Sequence, residues 1–198
     1  QKLIRKYPGR DQAAELTYAV ARCYADMRRY EEALNAYTDF VNSYPEHSLA
    51  EASYGGVIWS LYSLGLFDSV LSRSNEFFQR YPESEYVKDV LVMVGHSHRM
   101  AGSFDVAIDT YKRVVREYPR SGEAEETLNQ MASYYYERGD YVQTVQLSHR
   151  FLEAYGESRL TARVLCRLGE SYNGLQNYAE AVRAYQEIVE NHPSSDLM

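Results

Sequence analysis

His96 and His98 are the closest pair of histidines in the chain, so a metal site would be sought there first. Two residues apart on a helix, they point to nearly opposite sides and cannot share an ion. His47, His149 and His192 stand alone, and no Cys or His group has the spacing of zinc ligands. There is no Gly-rich phosphate loop and no Gly-x-Ser-x-Gly elbow. The 28 acidic residues are what a charged helical surface requires, and no pair among them stands out as catalytic. Arg138-Gly139-Asp140 spells an adhesion tripeptide, but Gly139 recurs at the same interval as Gly65 and Gly102, which assigns it to a turn. The expectation is therefore no catalytic residue, no metal and no cofactor, and a protein that is not an enzyme. What the chain does hold in quantity is contact chemistry: 20 tyrosines, a single tryptophan (Trp59), methionines and arginines. These types are enriched at protein-binding hot spots.

The elements that position them follow from a repeat. Tyr44-Pro45-Glu46-His47-Ser48 returns as Tyr81-Pro82-Glu83-Ser84 and Tyr118-Pro119-Arg120-Ser121, with a worn copy at Tyr155-Gly156-Glu157-Ser158. Tyr7-Pro8 precedes the series and His192-Pro193 follows it. The interval of 37 residues lies in the range of repeat solenoids. The expected division is 1–6 as the end of a preceding repeat helix, full repeats over 7–43, 44–80, 81–117, 118–154 and 155–191, and 192–198 opening a sixth. On this reading the sequence is a window on a longer protein.

Within each unit the junction proline stops the preceding helix. Asp11, Ser48, Ser84, Ser121 and Ser158 are expected as N-caps, with Ser48 and Glu51 spaced as a capping box. A first helix of about 16 residues runs to a turn, and an aromatic opens the second: Tyr30, Phe67, Phe104, Tyr141 or Tyr178. Leu16, Val20 and Tyr24 in one first helix, Leu165, Leu168 and Tyr172 in another, and Tyr30, Ala33, Tyr37 and Phe40 in a second helix have the spacing of core-facing stripes. With no β-type alternation the class is all-α. Ala33, Ala107 and Ala181 alternate with Val70 and Thr144, while Tyr37, Tyr111 and Tyr185 alternate with Ser74 and Ser148. Volume is thus exchanged on a 74-residue super-period. Cys23 and Cys166, four repeats apart, are beyond disulfide reach in such a stack and are expected as small buried or half-buried thiols. The net charge of −7 disfavours nucleic acid, and no 18-residue apolar run spans a membrane.

Leu168-Gly169, Tyr172, Tyr178, Ala181, Tyr185 and Pro193 together resemble the tetratricopeptide repeat pattern, over essentially the whole chain. Leu61, Val70 and Ser74 depart from it in the second repeat. The resemblance implies a right-handed superhelical solenoid of antiparallel helix pairs whose first helices line a concave groove that binds other proteins. The Tyr-Pro-x-Ser junctions are similar to those of bacterial envelope proteins such as the outer-membrane assembly lipoprotein and the Tol–Pal coordinator. That implies a periplasmic or envelope location, with the cytoplasm as the alternative.

On the family's geometry Tyr18, Arg22, Trp59, Tyr62, His96, Arg99, Met100 and Tyr136 lie on the groove face, with Glu126, Glu137 and Glu170 towards the other end. Trp59 either anchors a partner's peptide or helix, or fills a gap between adjacent first helices. The acidic end would complement Lys or Arg. Tyr18 and Arg22 stand where some family members carry the Lys and Asn that grip chaperone tails, so that activity is disfavoured. Self-association through the solenoid ends, a spacer role and an accessory role to a catalytic domain outside this window are the alternatives.

Overall fold

Residues 11–192 are described by a computed structural model. The expected helix end at 1–6, the Tyr7-Pro8 junction and the repeat start after His192 lie outside the described residues. Among the described residues ten helices follow one another: α1 (Asp11–Asp26), α2 (Tyr30–Ser43), α3 (Ala50–Ser63), α4 (Phe67–Arg80), α5 (Val87–Met100), α6 (Phe104–Glu117), α7 (Gly122–Glu137), α8 (Tyr141–Tyr155), α9 (Thr161–Gly174) and α10 (Tyr178–Asn191). No strand forms among the described residues. The chain divides after Thr110 into two compact units. In the first, α2 packs against α1 and α3, and α5 against α3 and α4; in the second, α8 packs against α7 and α9, and α10 against α9.

Every turn within a pair uses one left-handed residue. Gly65, Gly102 and Gly139 supply it at φ of 72–75°, and Arg28 and Gln176 adopt it at 57° and 60°. Glycine enters this region without the Cβ clash that costs other residues about 1–2 kcal/mol. The turn then closes as the Leu66 N–H donates to the Leu61 carbonyl at 3.0 Å, which satisfies an orphan helix carbonyl.

The junctions hold the pairs together. Phe40, Phe77 and Phe151 are fully buried. Each is met by the junction tyrosine four residues on (Tyr44, Tyr81, Tyr155) at centroid distances of 5.3, 5.4 and 5.5 Å. The Tyr155 hydroxyl also donates to the Pro119 carbonyl at 2.8 Å, reaching back to the previous junction. Tyr54 is core, and its hydroxyl donates to Glu76.

Four expectations need correction. Of Ser48, Ser84, Ser121 and Ser158, only Ser121 caps as expected, accepting from the Ala124 N–H at 3.1 Å. Leu49, Tyr86 and Leu160 occupy the other N-cap positions without a side-chain bond, because the helices start after an extra tight turn. Ser84 and Ser158 instead accept from the N–H two residues on and donate to Glu51 and Glu125 of the preceding repeat, each at 2.5 Å. Glu51 is therefore a bolt between repeats, and its capping box with Ser48 does not form. Leu16 and Val20 are 54% and 44% exposed. They lie on the face of α1 turned away from α2, and Ala14, Thr17 and Ala21 do the burying. Finally, Cys23 is exposed; Cys166 is half-buried, as expected.

Candidate functional site

The first helices carry the residues that sequence reasoning singled out, and the structure sorts them into several settings. In the first unit Trp59, 39% exposed, stands edge-on to Tyr30 at 5.2 Å. Its ring leans on the opening residue of α2 while staying partly open to solvent. Tyr62 on α3 and His96 on α5 are brought together, hydroxyl to Nδ1 at 2.9 Å. Arg22 and Arg99 are exposed. Tyr18 is drawn into the scaffold, edge-on to Tyr37 at 6.0 Å and to Phe40 at 6.1 Å. Met100, 56% exposed, lies at the turn edge with Gly65, Leu66, Phe67 and Ala101 around a shallow depression, apart from the tryptophan.

Adjacent glycines shape this face of α3. A Cβ on Gly55 would sit at 3.8 Å from the Tyr86 ring, whereas one on Gly56 would meet the Tyr37 ring at 2.7 Å. Gly56 thus exists to admit Tyr37, and Tyr86 covers the helix beside it.

In the second unit α7 and α9 face each other across a cleft of about 260 Å³. Its lining includes Tyr136 and Glu137 from α7 and Arg163, Cys166, Arg167 and Glu170 from α9. Three predicted residues, Tyr136, Glu137 and Glu170, therefore meet in one place. Burial, and then the nearby Glu170 carboxylate, pushes the Tyr136 phenol pKa up. Burial also raises the Cys166 thiol, with Glu170 adding to it. Glu126 is not part of the cleft lining; its carboxylate accepts from Gln130 Nε2 at 2.7 Å.

Arg167 was missed by sequence reasoning. It is half-buried and donates to Asn129 Oδ1 at 3.1 Å. Burial lowers its pKa, and Arg163 lowers it further. The spacing of Arg163 and Arg167, one helical turn apart, is the signal that could have found it. Among the described residues no cluster of three metal-ligating side chains forms, and no helix is long and apolar enough to cross a membrane.

Comparison with known proteins agrees with the helix pairs. One family model described as tetratricopeptide repeat matches residues 123–194, and a second with the same description matches 17–47 and 89–121. Among solved structures, MamA from Desulfovibrio magneticus is 12% identical with a TM-score of 0.71, covering 92% of this chain and 97% of its own. A tetratricopeptide repeat protein from Parabacteroides merdae is 16% identical with a TM-score of 0.71, covering 92% and 68%. BtubC from P. vanneervenii is 14% identical with a TM-score of 0.70, covering 98% and 89%. No curated protein matches the sequence. With the two family models spanning well over half of its length and the fold shared with these structures, the chain belongs to the tetratricopeptide repeat family.

Proposed function

We propose that the chain is a non-catalytic scaffold that binds a peptide or helix of a partner protein on the exposed face of its first helices. The observation that carries this reading is the cleft in which Tyr136, Glu137 and Glu170, chosen from the sequence as groove residues, line one wall after another. A preformed cleft on rigid helices takes a segment with little reordering cost on its own side. Trp59, Tyr62, His96, Arg22 and Arg99 offer a second, aromatic and cationic patch in the first unit, where an apolar anchor would be held. The Tyr-Pro-x-Ser junctions support a place in a bacterial cell-envelope assembly, and with it a periplasmic or envelope-associated location.

The test is capture of partners from native extract by the wild-type chain, by Trp59→Ala/Tyr62→Ala and by Tyr136→Ala, each first shown by circular dichroism to be folded. A partner held by wild type and lost by either variant supports the reading. Partners retained by both variants would sink it.

A second reading is favoured by the outer face of α10. Tyr178, Val182, Tyr185 and Val189 are 61, 52, 37 and 73% exposed. In α8 the equivalent Val145 and Leu152 pack onto the core of the next helix pair. On this reading the chain is a spacer or oligomerisation arm, through which further repeats or a second copy stack. Sedimentation that stays monomeric at high concentration, together with groove variants that lose partners, would exclude it.

A further inference from the structure

The cleft between α7 and α9 contains two guanidinium groups that, among the described residues, form no direct ion pair, although Glu170 and Glu137 act on Arg167 through space. Arg163 and Arg167 stand one turn apart and both line it. Like charges at this spacing disfavour a helix, so their pairing itself does not stabilise α9. Arg167 is half-buried, and its hydrogen bond goes to the neutral amide oxygen of Asn129 at 3.1 Å. A guanidinium carries five donors and no acceptor, so one amide leaves most of them unused. Among the described residues neither Glu137 nor Glu170 forms an ion pair with either arginine, so no carboxylate of the cleft takes up these donors directly.

Resting on the groove reading above, we propose that Arg163 and Arg167 seat the carboxylate of an Asp or Glu side chain on the partner segment, with a neighbouring Lys or Arg of that segment meeting Glu137 and Glu170. Two physical points select this ligand. A planar carboxylate matches a guanidinium fork in a bidentate pair. A doubly charged phosphate would be opposed by the two carboxylates already lining the cleft. The volume, about 260 Å³, also suits a side chain of a longer segment better than a free small molecule, for which pockets run from about 300 Å³ upward. The partner motif is then a mixed-charge one, acid beside base, and not the purely basic stretch that the acidic residues suggest when read alone.

Cys166 gives a direct readout, since its thiol lines the cleft. In the full chain with Cys23→Ser it is the only cysteine, and its alkylation by iodoacetamide reports whether the cleft is occupied. The probes are short peptides, acetylated and amidated so that no terminal carboxylate remains. They are presented as an array with Glu, Gln or Lys at a fixed centre and Lys among the flanking residues. The expected result is that central-Glu peptides bind and slow Cys166 alkylation, that Gln at the centre weakens binding by about tenfold, and that Arg163→Gln removes this difference. Arg163 is exposed, so that variant keeps the fold; Arg167→Lys, which retains the charge but not the fork, is expected to lie between. Equal binding of Glu and Gln peptides, with Cys166 still protected, overturns the carboxylate seat and leaves the groove reading standing. If no peptide protects Cys166, both fall together.

Discussion

Two neighbouring glycines in α3 make the sharpest prediction. Replacing either by Ala gains helix propensity of about 0.5–1 kcal/mol. At Gly55 the new methyl meets the Tyr86 ring at 3.8 Å, an ordinary contact, so Gly55→Ala should stabilise by about that amount. At Gly56 the methyl meets three atoms of the Tyr37 ring at 2.7–2.8 Å. Tyr37 is 5% exposed and backed by Tyr18, so the ring has nowhere to retreat. Overpacking of a closed site costs about 1–3 kcal/mol, and with the upper end applying here the net for Gly56→Ala is about 2 kcal/mol of destabilisation. Urea denaturation followed by circular dichroism should show the Gly56→Ala midpoint lower by about 1 M and the Gly55→Ala midpoint slightly higher. Tyr37→Leu, which removes the ring, should restore most of the loss in the double variant, a coupling that independent sites would not show. Equal midpoints for the two alanine variants would refute the packing argument. The same clash drawn at Gly169, 2.6 Å from Tyr185, should be milder, because Tyr185 is 37% exposed and its ring can swing outward.

Other expectations follow from the same contacts. Burial, with Tyr18 adding to it, pushes the Tyr37 phenol up to about 12, so the folded state keeps a proton that the unfolded chain releases near 10. Stability from this group is complete below pH 10 and falls as pH rises towards 12, and Tyr37→Phe should flatten the decline of the urea midpoint across that window. Ser158→Ala removes bonds to both Glu125 and the Leu160 N–H and should cost about 1–2 kcal/mol, with a non-additive Glu125→Ala double variant as the check. Ala107, 2% exposed, should tolerate Phe only at a loss of about 1–3 kcal/mol in the denaturation midpoint. Gln176→Gly, relieving a left-handed turn at φ 60°, should raise thermal stability by about 1 kcal/mol.

Helix type was legible because apolar residues at three- and four-residue spacing admit one solution: Ala33, Tyr37 and Phe40 are buried together on α2, as are Leu165 and Leu168 on α9. Leu16 and Val20 share that spacing yet lie exposed, since periodicity says which residues share a face and not which neighbour covers it. Serine positions misled for a related reason. Ser84 and Ser158 have the right residue type for capping, but a carboxylate one repeat earlier competes for the hydroxyl, and such a partner is invisible within a local window. The cleft was half legible. Tyr136, Glu137 and Glu170 were found from their slots, whereas Asn129 became visible only when α7 and α9 were seen to face one another, and Arg167 was passed over despite its one-turn spacing from Arg163.

The serine bolts have a consequence for how such an array changes length. Glu51 and Glu125 occupy one slot 74 residues apart, and the intervening copy of that slot is Lys88. Ser121, the serine 33 residues after Lys88, meets no carboxylate in that slot and caps its own helix instead. The serines therefore alternate, bolted at Ser84 and Ser158 and self-capping at Ser121. Excising only the 37-residue copy before Ser158 would bring it opposite Lys88, which has no lone pair to accept its hydroxyl, whereas excising the two copies before it would bring it opposite Glu51 and keep the bond, so even steps preserve the alternation and odd steps break it.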